Sequence, residues 1–116
     1  MYRCMLRAKI HMAKVTEANI NYSGSLSVDE DLMDLTGMVA YEKIMVSNVT
    51  NGERFETYLI PGERGSRQIC LNGAAARKGV AGDRVIIFSF CYVKEEDIKD
   101  YQPKIVVLSE ENRPLT

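Results

Sequence analysis

The segment NYSGSLS (residues 21–27) places a glycine directly before a serine, between two stretches that read as extended. Glycine tolerates strained backbone conformations and has no Cβ to block a close approach, and serine carries a hydroxyl that can act as a nucleophile. By pattern alone, Gly24-Ser25 is a bulge or a bend. The alternative is a glycyl-seryl bond that itself takes part in chemistry.

Other candidate residues also have a structural interpretation. His11, the only histidine, follows Lys9 by two positions in a stretch of period-two alternation, so both are predicted on one polar strand face. Because no serine or cysteine lies near His11 in the sequence, this pair alone favours a structural role. The segment NGAAA (72–76) predicts a cap and a short helix, although its small residues would also let a ligand approach backbone amides closely.

These candidates need a framework, and the patterns around them are rich in strands. Extended segments are predicted at residues 2–12, 19–28, 84–93 and 104–110. Asp29 and Gly37 are predicted to cap a short helix at its two ends, and Asn72 and Gly79 to bound another. The last residues, 111–116, are expected to fray.

Asn51-Gly52, between two β-rich arms, predicts a two-residue type I′ hairpin turn. This turn would place Met45 opposite Tyr58, and alternation would put Arg54 and Tyr58 on one face with Thr57 on the other. Six or seven short strands with brief helices predict a mainly β fold, a small closed barrel, because closure removes exposed strand edges.

Composition excludes several classes of function. The 116 residues suit one domain, 1–116, and 46 % hydrophobic residues are enough for a core. A net charge of −1 argues against nucleic acid as a partner, and no apolar run has the length of a signal peptide or a membrane span. Three cysteines without short spacing predict no metal site. A cytoplasmic location is therefore expected.

Read together, these elements resemble the pyruvoyl-dependent aspartate decarboxylase family along nearly the whole chain. The matching elements are Lys9-x-His11, Val15-Thr16, Tyr22-x-Gly24-Ser25, the block NVTNGERFETY (48–58), ERGS (63–66), NGAAA (72–76) and GDRVII (82–87). The resemblance implies a six-stranded double-psi β-barrel with two or three short helices, and a homotetramer with active sites between subunits. The implied reaction converts L-aspartate to β-alanine and CO₂ for pantothenate and coenzyme A synthesis. Ser23 departs from relatives that carry an acidic residue there.

In this family, decarboxylation depends on a pyruvoyl cofactor that the chain makes from its own serine, here Ser25. The Ser25 hydroxyl attacks the Gly24 carbonyl to give an ester, β-elimination leaves dehydroalanine, and hydrolysis releases ammonia and leaves the ketone. The chain would mature to residues 1–24 and 25–116. The family assigns supporting roles in this step around Tyr22, Thr57 and Asn72, and His11 is a candidate for moving protons.

In the mature site, the resemblance implies a Schiff base between the substrate amine and the ketone at residue 25. Arg54 and Lys9 supply cations for the substrate carboxylates, and Tyr58 can return a proton after CO₂ has left. Thr57 is expected to contact the substrate as well. The small residues Gly73, Ala74 and Ala75 would lie against it.

Two other functions are compatible with the same residues. One is a non-catalytic double-psi barrel that serves as a binding module, and the other is a decarboxylase of another acidic amino acid. The sequence is also compatible both with spontaneous cleavage and with cleavage assisted by a maturation helper protein.

Overall fold

The structure, a computed structural model, describes residues 1–23 and 25–115 of the chain. Within these residues there are nine strands: β1 (Tyr2–Lys14), β2 (Glu17–Asn19), β3 (Leu26–Asp29), β4 (Lys43–Asn48), β5 (Arg54–Gly62), β6 (Ile69–Asn72), β7 (Arg84–Lys94), β8 (Lys104–Leu108) and β9 (Pro114–Leu115). One α-helix, α1 (Glu30–Thr36), and two 3₁₀ helices, Gly73–Lys78 and Glu95–Asp97, connect them. The predicted mainly β class with short helices is confirmed, and it is consistent with the predicted small double-psi barrel.

The strands form one hydrogen-bonded series in the order β2-β6-β3-β5-β4-β7-β1-β8-β9. Most neighbours are antiparallel, but β1 with β8, β2 with β6 and β3 with β5 run parallel. The described residues therefore carry three more strands than the six predicted. The two strands that end the series, β2 and β9, are very short, and no ladder joins them to each other in the part of the chain that the structure describes.

The core lies inside the curled sheet and contains large aliphatic side chains from most strands. Its largest fully buried members include Ile10, Leu26, Ile44, Leu59, Leu71 and Ile87. Alternation explains this pattern in β4 and β7, where every second residue points inward, whereas all four residues of β3 and of β6 are buried. β7 lies centrally between β4 and β1, as predicted, but its second half leaves Phe90 42 % and Tyr92 75 % exposed.

Helix α1 has the caps that the sequence predicts. The Asp29 carboxylate accepts a hydrogen bond from the Asp31 N–H, and Gly37 ends the helix in the left-handed conformation with φ of 74°. None of the helices in the described residues, 1–23 and 25–115, has the length and apolar character of a membrane span.

The predicted hairpin register was wrong by two residues. Lys43, rather than Met45, lies opposite Tyr58, and the connection between the two strands is a five-residue loop, residues 49–53. The Asn48 side-chain oxygen accepts hydrogen bonds from the N–H groups of Thr50 and Asn51, which stabilises the longer loop. Because a shift of two residues keeps the alternation, Arg54 and Tyr58 still share one face.

Two further expectations were wrong, and a third was right in position only. The run 19–28 is divided into two short strands, β2 and β3, rather than forming one extended segment. Asn72 and Gly79 bound the second helix, as predicted, but the Asn72 side chain forms no capping hydrogen bond and Gly79 has an extended φ of −175°. The tail is held by Asn112, which is buried and hydrogen-bonded to Lys14 and Arg67, so that Pro114 and Leu115 pair with β8.

Candidate active site

Ser25 lies half-buried in a cavity of about 220 Å³ between β5 and the 3₁₀ helix Gly73–Lys78. The other residues that line the cavity are Phe55, Glu56 and Thr57 from β5, and Ala74, Ala75 and Lys78 from the helix. The small alanine side chains leave the space open, and Thr57 places a hydroxyl-bearing side chain in its wall. Three predicted site residues, Thr57, Ala74 and Ala75, therefore lie together with Ser25.

Asn72 is buried, 3 % exposed, and holds the segment that carries Ser25. Its backbone N–H donates to the Ser25 carbonyl at 2.8 Å, and its side-chain Nδ2 donates to the Ser27 hydroxyl at 2.8 Å. The second bond directs the Asn72 amide group to β3, and the side chain forms no capping hydrogen bond with the helix. Asn72 thus fixes the backbone on one side of the cavity.

Other predicted residues do not line this cavity. Gly73, with φ of 59°, begins the helix, and Tyr22 is 53 % exposed in the turn that follows β2. His11 lies half-buried on β1, and its buried Nδ1 has no hydrogen-bond partner among the described residues. Gly24, which the sequence predicts to contribute the cleaved bond, lies outside the described residues.

The predicted substrate cations and the predicted proton donor share another surface. Lys9 lies opposite Phe88, Phe88 opposite Met45, and Met45 opposite Glu56. Directly paired residues point to the same face of a sheet, so Lys9 shares a face with Arg54 and Tyr58, the alternate neighbours of Glu56. We call this surface, defined by Lys9, Arg54 and Tyr58, the outer face.

On the outer face the charges are available to a ligand. Among the described residues, no carboxylate lies within 4.0 Å of the Lys9 or the Arg54 side-chain nitrogens. Tyr58 is 39 % exposed, and its ring centroid is 6.4 Å from that of Tyr41. Within one chain, the predicted site residues therefore include two separate groups, one at the Ser25 cavity and one on the outer face.

Sequence reasoning missed three lining residues, Phe55, Glu56 and Lys78. Phe55 could have been found from Thr57, because residues two apart on a strand share a face. Lys78 could have been found from Ala75, since residues three apart nearly eclipse each other along a 3₁₀ helix. Glu56 forms an ion pair with Lys43 at 2.9 Å, and no sequence signal indicates its place at the cavity.

Comparison with known proteins gives a consistent result. A family model described as aspartate decarboxylase matches residues 1–115. The aspartate 1-decarboxylase of Leptospira biflexa is 62 % identical over 109 residues, 93 % of this chain and 92 % of that protein. The aspartate 1-decarboxylase of Bacillus licheniformis is 56 % identical over 112 residues, 97 % of this chain and 88 % of that protein. Since the match extends over nearly the whole of both chains, this chain belongs to the aspartate decarboxylase family.

Proposed function

We propose that this protein is an aspartate 1-decarboxylase, a carboxy-lyase that converts L-aspartate to β-alanine and CO₂ for pantothenate synthesis. The observation that carries the proposal is the cavity that brings Ser25, Thr57, Ala74 and Ala75 together in a chain of this family. The names of its relatives give the substrate, and the cavity gives a place for the reaction.

The residues around Ser25 fit a pyruvoyl group made from that serine. Ser25 is half-buried at the cavity, its carbonyl is held by the Asn72 N–H, and the facing side chains are small. Once formed, the ketone would supply the electron sink that decarboxylation of an α-amino acid needs. We propose that it forms by cleavage between Gly24 and Ser25 within one domain, 1–116, to give residues 1–24 and 25–116.

The chain's own residues have separate tasks in this proposal. The Asn72 N–H holds the backbone carbonyl of residue 25, which adjoins the Cα that would become the ketone carbon, so this carbon starts from one defined position. Thr57 offers a hydroxyl that can donate a hydrogen bond to an oxyanion or a carboxylate at the cavity. Ala74 and Ala75 leave room for the substrate.

We further propose that a second copy of the chain completes each site, and that the assembly is a homotetramer. The support is the outer face, where Lys9 and Arg54 have no carboxylate partner in the described residues. Tyr58 on the same face is 39 % exposed and is not among the described residues that line its own chain's cavity. Large apolar side chains on the same face, Phe90 and Tyr92, are exposed and suited to contact between copies. Tyr58 of one copy would then give a proton to the product carbon beside Ser25 of another.

The function is tested by incubating the purified protein with L-aspartate and measuring CO₂ and β-alanine. The wild-type protein should form both in equal amounts, and Ser25→Ala should form neither while keeping its fold. L-glutamate, tested in parallel, should be a far poorer substrate. Absence of decarboxylation by a protein cleaved at Ser25 would favour the binding-module alternative, and preference for glutamate would favour the other decarboxylase.

The shared site is tested by mixing two variants. Ser25→Ala lacks the ketone but retains Tyr58, whereas Tyr58→Phe retains the ketone and loses the phenolic proton. If the two residues act across a subunit boundary, co-expressed mixed tetramers should recover part of the activity that each variant lacks. A mixture no more active than the sum of its parts would place both residues in the site of one chain.

A further inference from the structure

Lys78 is a positive side chain on the wall of the Ser25 cavity, at the last turn of the 3₁₀ helix Gly73–Lys78. Among the described residues that line the cavity, Lys78 is the one cation. Glu56, which also lines it, already has Lys43 as a partner at 2.9 Å. One chain therefore provides its own cation at this site, separate from Lys9 and Arg54 on the outer face.

The backbone of Lys78 is firmly held. Its carbonyl accepts hydrogen bonds from the Asn48 side chain at 3.1 Å and from the Asn51 side chain at 3.0 Å. Asn48 is 2 % exposed and also donates to the Asp83 carboxylate at 3.0 Å. The ammonium of Lys78 therefore extends from a fixed point beside the cavity, which limits the entropy lost when it binds an anion.

The Lys78 ammonium has a weak internal partner. Its Nζ lies 3.0 Å from the Glu53 carboxylate, and the two side chains are 42 % and 46 % exposed. An ion pair this exposed to water contributes little to stability, so an incoming carboxylate can compete with Glu53 for the ammonium. Glu53 is thus placed to act as a counter-ion that a ligand displaces.

We propose that Lys78 is a specificity-determining residue that draws an acidic substrate into the Ser25 cavity by pairing with one of its carboxylates, and that Glu53 competes for the same ammonium. This inference rests on the proposed function for the identity of the substrate. It predicts opposite effects from removing the two charges: loss of Lys78 weakens binding of a dicarboxylate, and loss of Glu53 strengthens it.

The test compares Lys78→Gln, Glu53→Gln and a matched control, Arg3→Gln. Arg3 also forms an exposed ion pair, with Glu95 at 2.9 Å, but it does not line the cavity, so its replacement removes the same charge elsewhere. The probe is succinate, a dicarboxylate that lacks the amine and therefore cannot react with a ketone to form a covalent bond. Its dissociation constant from the processed protein is measured by calorimetry at low and high salt, beside KM and kcat for L-aspartate.

Lys78→Gln should weaken succinate binding about two- to fivefold and raise KM by a similar factor, with kcat changed little. Glu53→Gln should tighten binding by a comparable factor, and Arg3→Gln should change nothing. The differences in succinate affinity between the variants and the wild type should be smaller at high salt, because salt screens exposed charges. Unchanged succinate binding in Lys78→Gln, or an equal effect of Arg3→Gln, would overturn the inference, and weaker binding in Glu53→Gln would overturn the role of Glu53.

The two readouts separate this inference from the proposed function. A protein that binds succinate through Lys78 but does not decarboxylate aspartate would refute the function and leave the anion site standing. A protein that decarboxylates aspartate with the same KM in all three variants would refute the role of Lys78 alone.

Discussion

Replacing Asn112 with alanine should lower the free energy of unfolding by about 2.5–5.5 kcal/mol, of which about 1.5–4.5 comes from three lost hydrogen bonds and about 1 from backbone strain. The Asn112 side chain accepts a hydrogen bond from the Lys14 N–H at 2.7 Å and donates to the carbonyls of Lys14 at 2.9 Å and Arg67 at 3.0 Å. A hydrogen bond of this kind contributes about 0.5–1.5 kcal/mol net, and three of them are lost together. Because Lys14 ends the strand that carries Lys9, the same change should also loosen the outer face.

A second variant distinguishes the effect of losing these hydrogen bonds from the effect of backbone strain on stability. Asn112 has φ of 58°, a conformation that costs alanine about 1–2 kcal/mol and glycine almost nothing. Asn112→Gly should therefore be less destabilised than Asn112→Ala by about 1 kcal/mol, although both lose the same bonds. Arg113→Ala is the control, since the Arg113 side chain is exposed, and it should change stability by less than about 0.5 kcal/mol.

The assay is equilibrium unfolding in urea at one fixed protein concentration, because the proposed assembly would make the apparent stability depend on concentration. All variants are made in a Ser25→Ala background, which keeps every chain uncut. If the free energies of unfolding of Asn112→Ala and Asn112→Gly both lay within about 0.5 kcal/mol of the parent's value, water would have replaced the three hydrogen bonds. The tail would then not be held by Asn112 as described.

Three other changes have definite expected results. Tyr58→Phe should still be cleaved but should turn over about 10²–10⁴ times more slowly, the usual contribution of a general acid; near-normal turnover would show that the proton comes from elsewhere. Gly79→Ala should cost about 1–3 kcal/mol in the urea assay, because the new Cβ would lie 2.9 Å from Asn48 Nδ2; an unchanged midpoint would mean that the neighbours move aside. Burial, and secondly the hydrogen bond with the Cys91 thiol, raises the pKa of Tyr101 from its usual value near 10 to about 12. Between about pH 10 and pH 12 the folded chain therefore keeps the phenolic proton of Tyr101, whereas the unfolded chain loses it. Stability should therefore fall as pH rises from about 10 to about 12, and Tyr101→Phe should lack this part of the fall when unfolding is followed at each pH; the same fall in the variant would assign it to another group.

The parts of the fold that the sequence predicted correctly depend on local rules. Alternation over residues 2–12 indicated β1, and Asp29 and Gly37 marked both ends of α1, since each signal involves neighbours in the chain. The errors arose where distant residues decide. The Asn72 side chain was expected to cap a helix, but it forms no capping bond and its amide group donates instead to Ser27, 45 positions away in sequence.

The candidate site was predictable to a similar extent. Family motifs indicated Ser25 and Thr57, and the structure brings them to one cavity. Alternation placed Arg54 and Tyr58 on one face of β5 and Thr57 on the other. It could not indicate that Ser25 lies with Thr57, because that depends on how distant segments of the chain pack together. Lys78 was missed because it lies just beyond the motif NGAAA.

Conversion of Ser25 to the pyruvoyl group can be observed in an intact-mass spectrum of the purified, active protein. Two fragments are expected, residues 1–24 and 25–116, with the larger one lighter by one molecule of ammonia than a chain that begins with serine. An active preparation that contains only uncut chains of 13.1 kDa, or a larger fragment that begins with a free serine, would contradict this conversion.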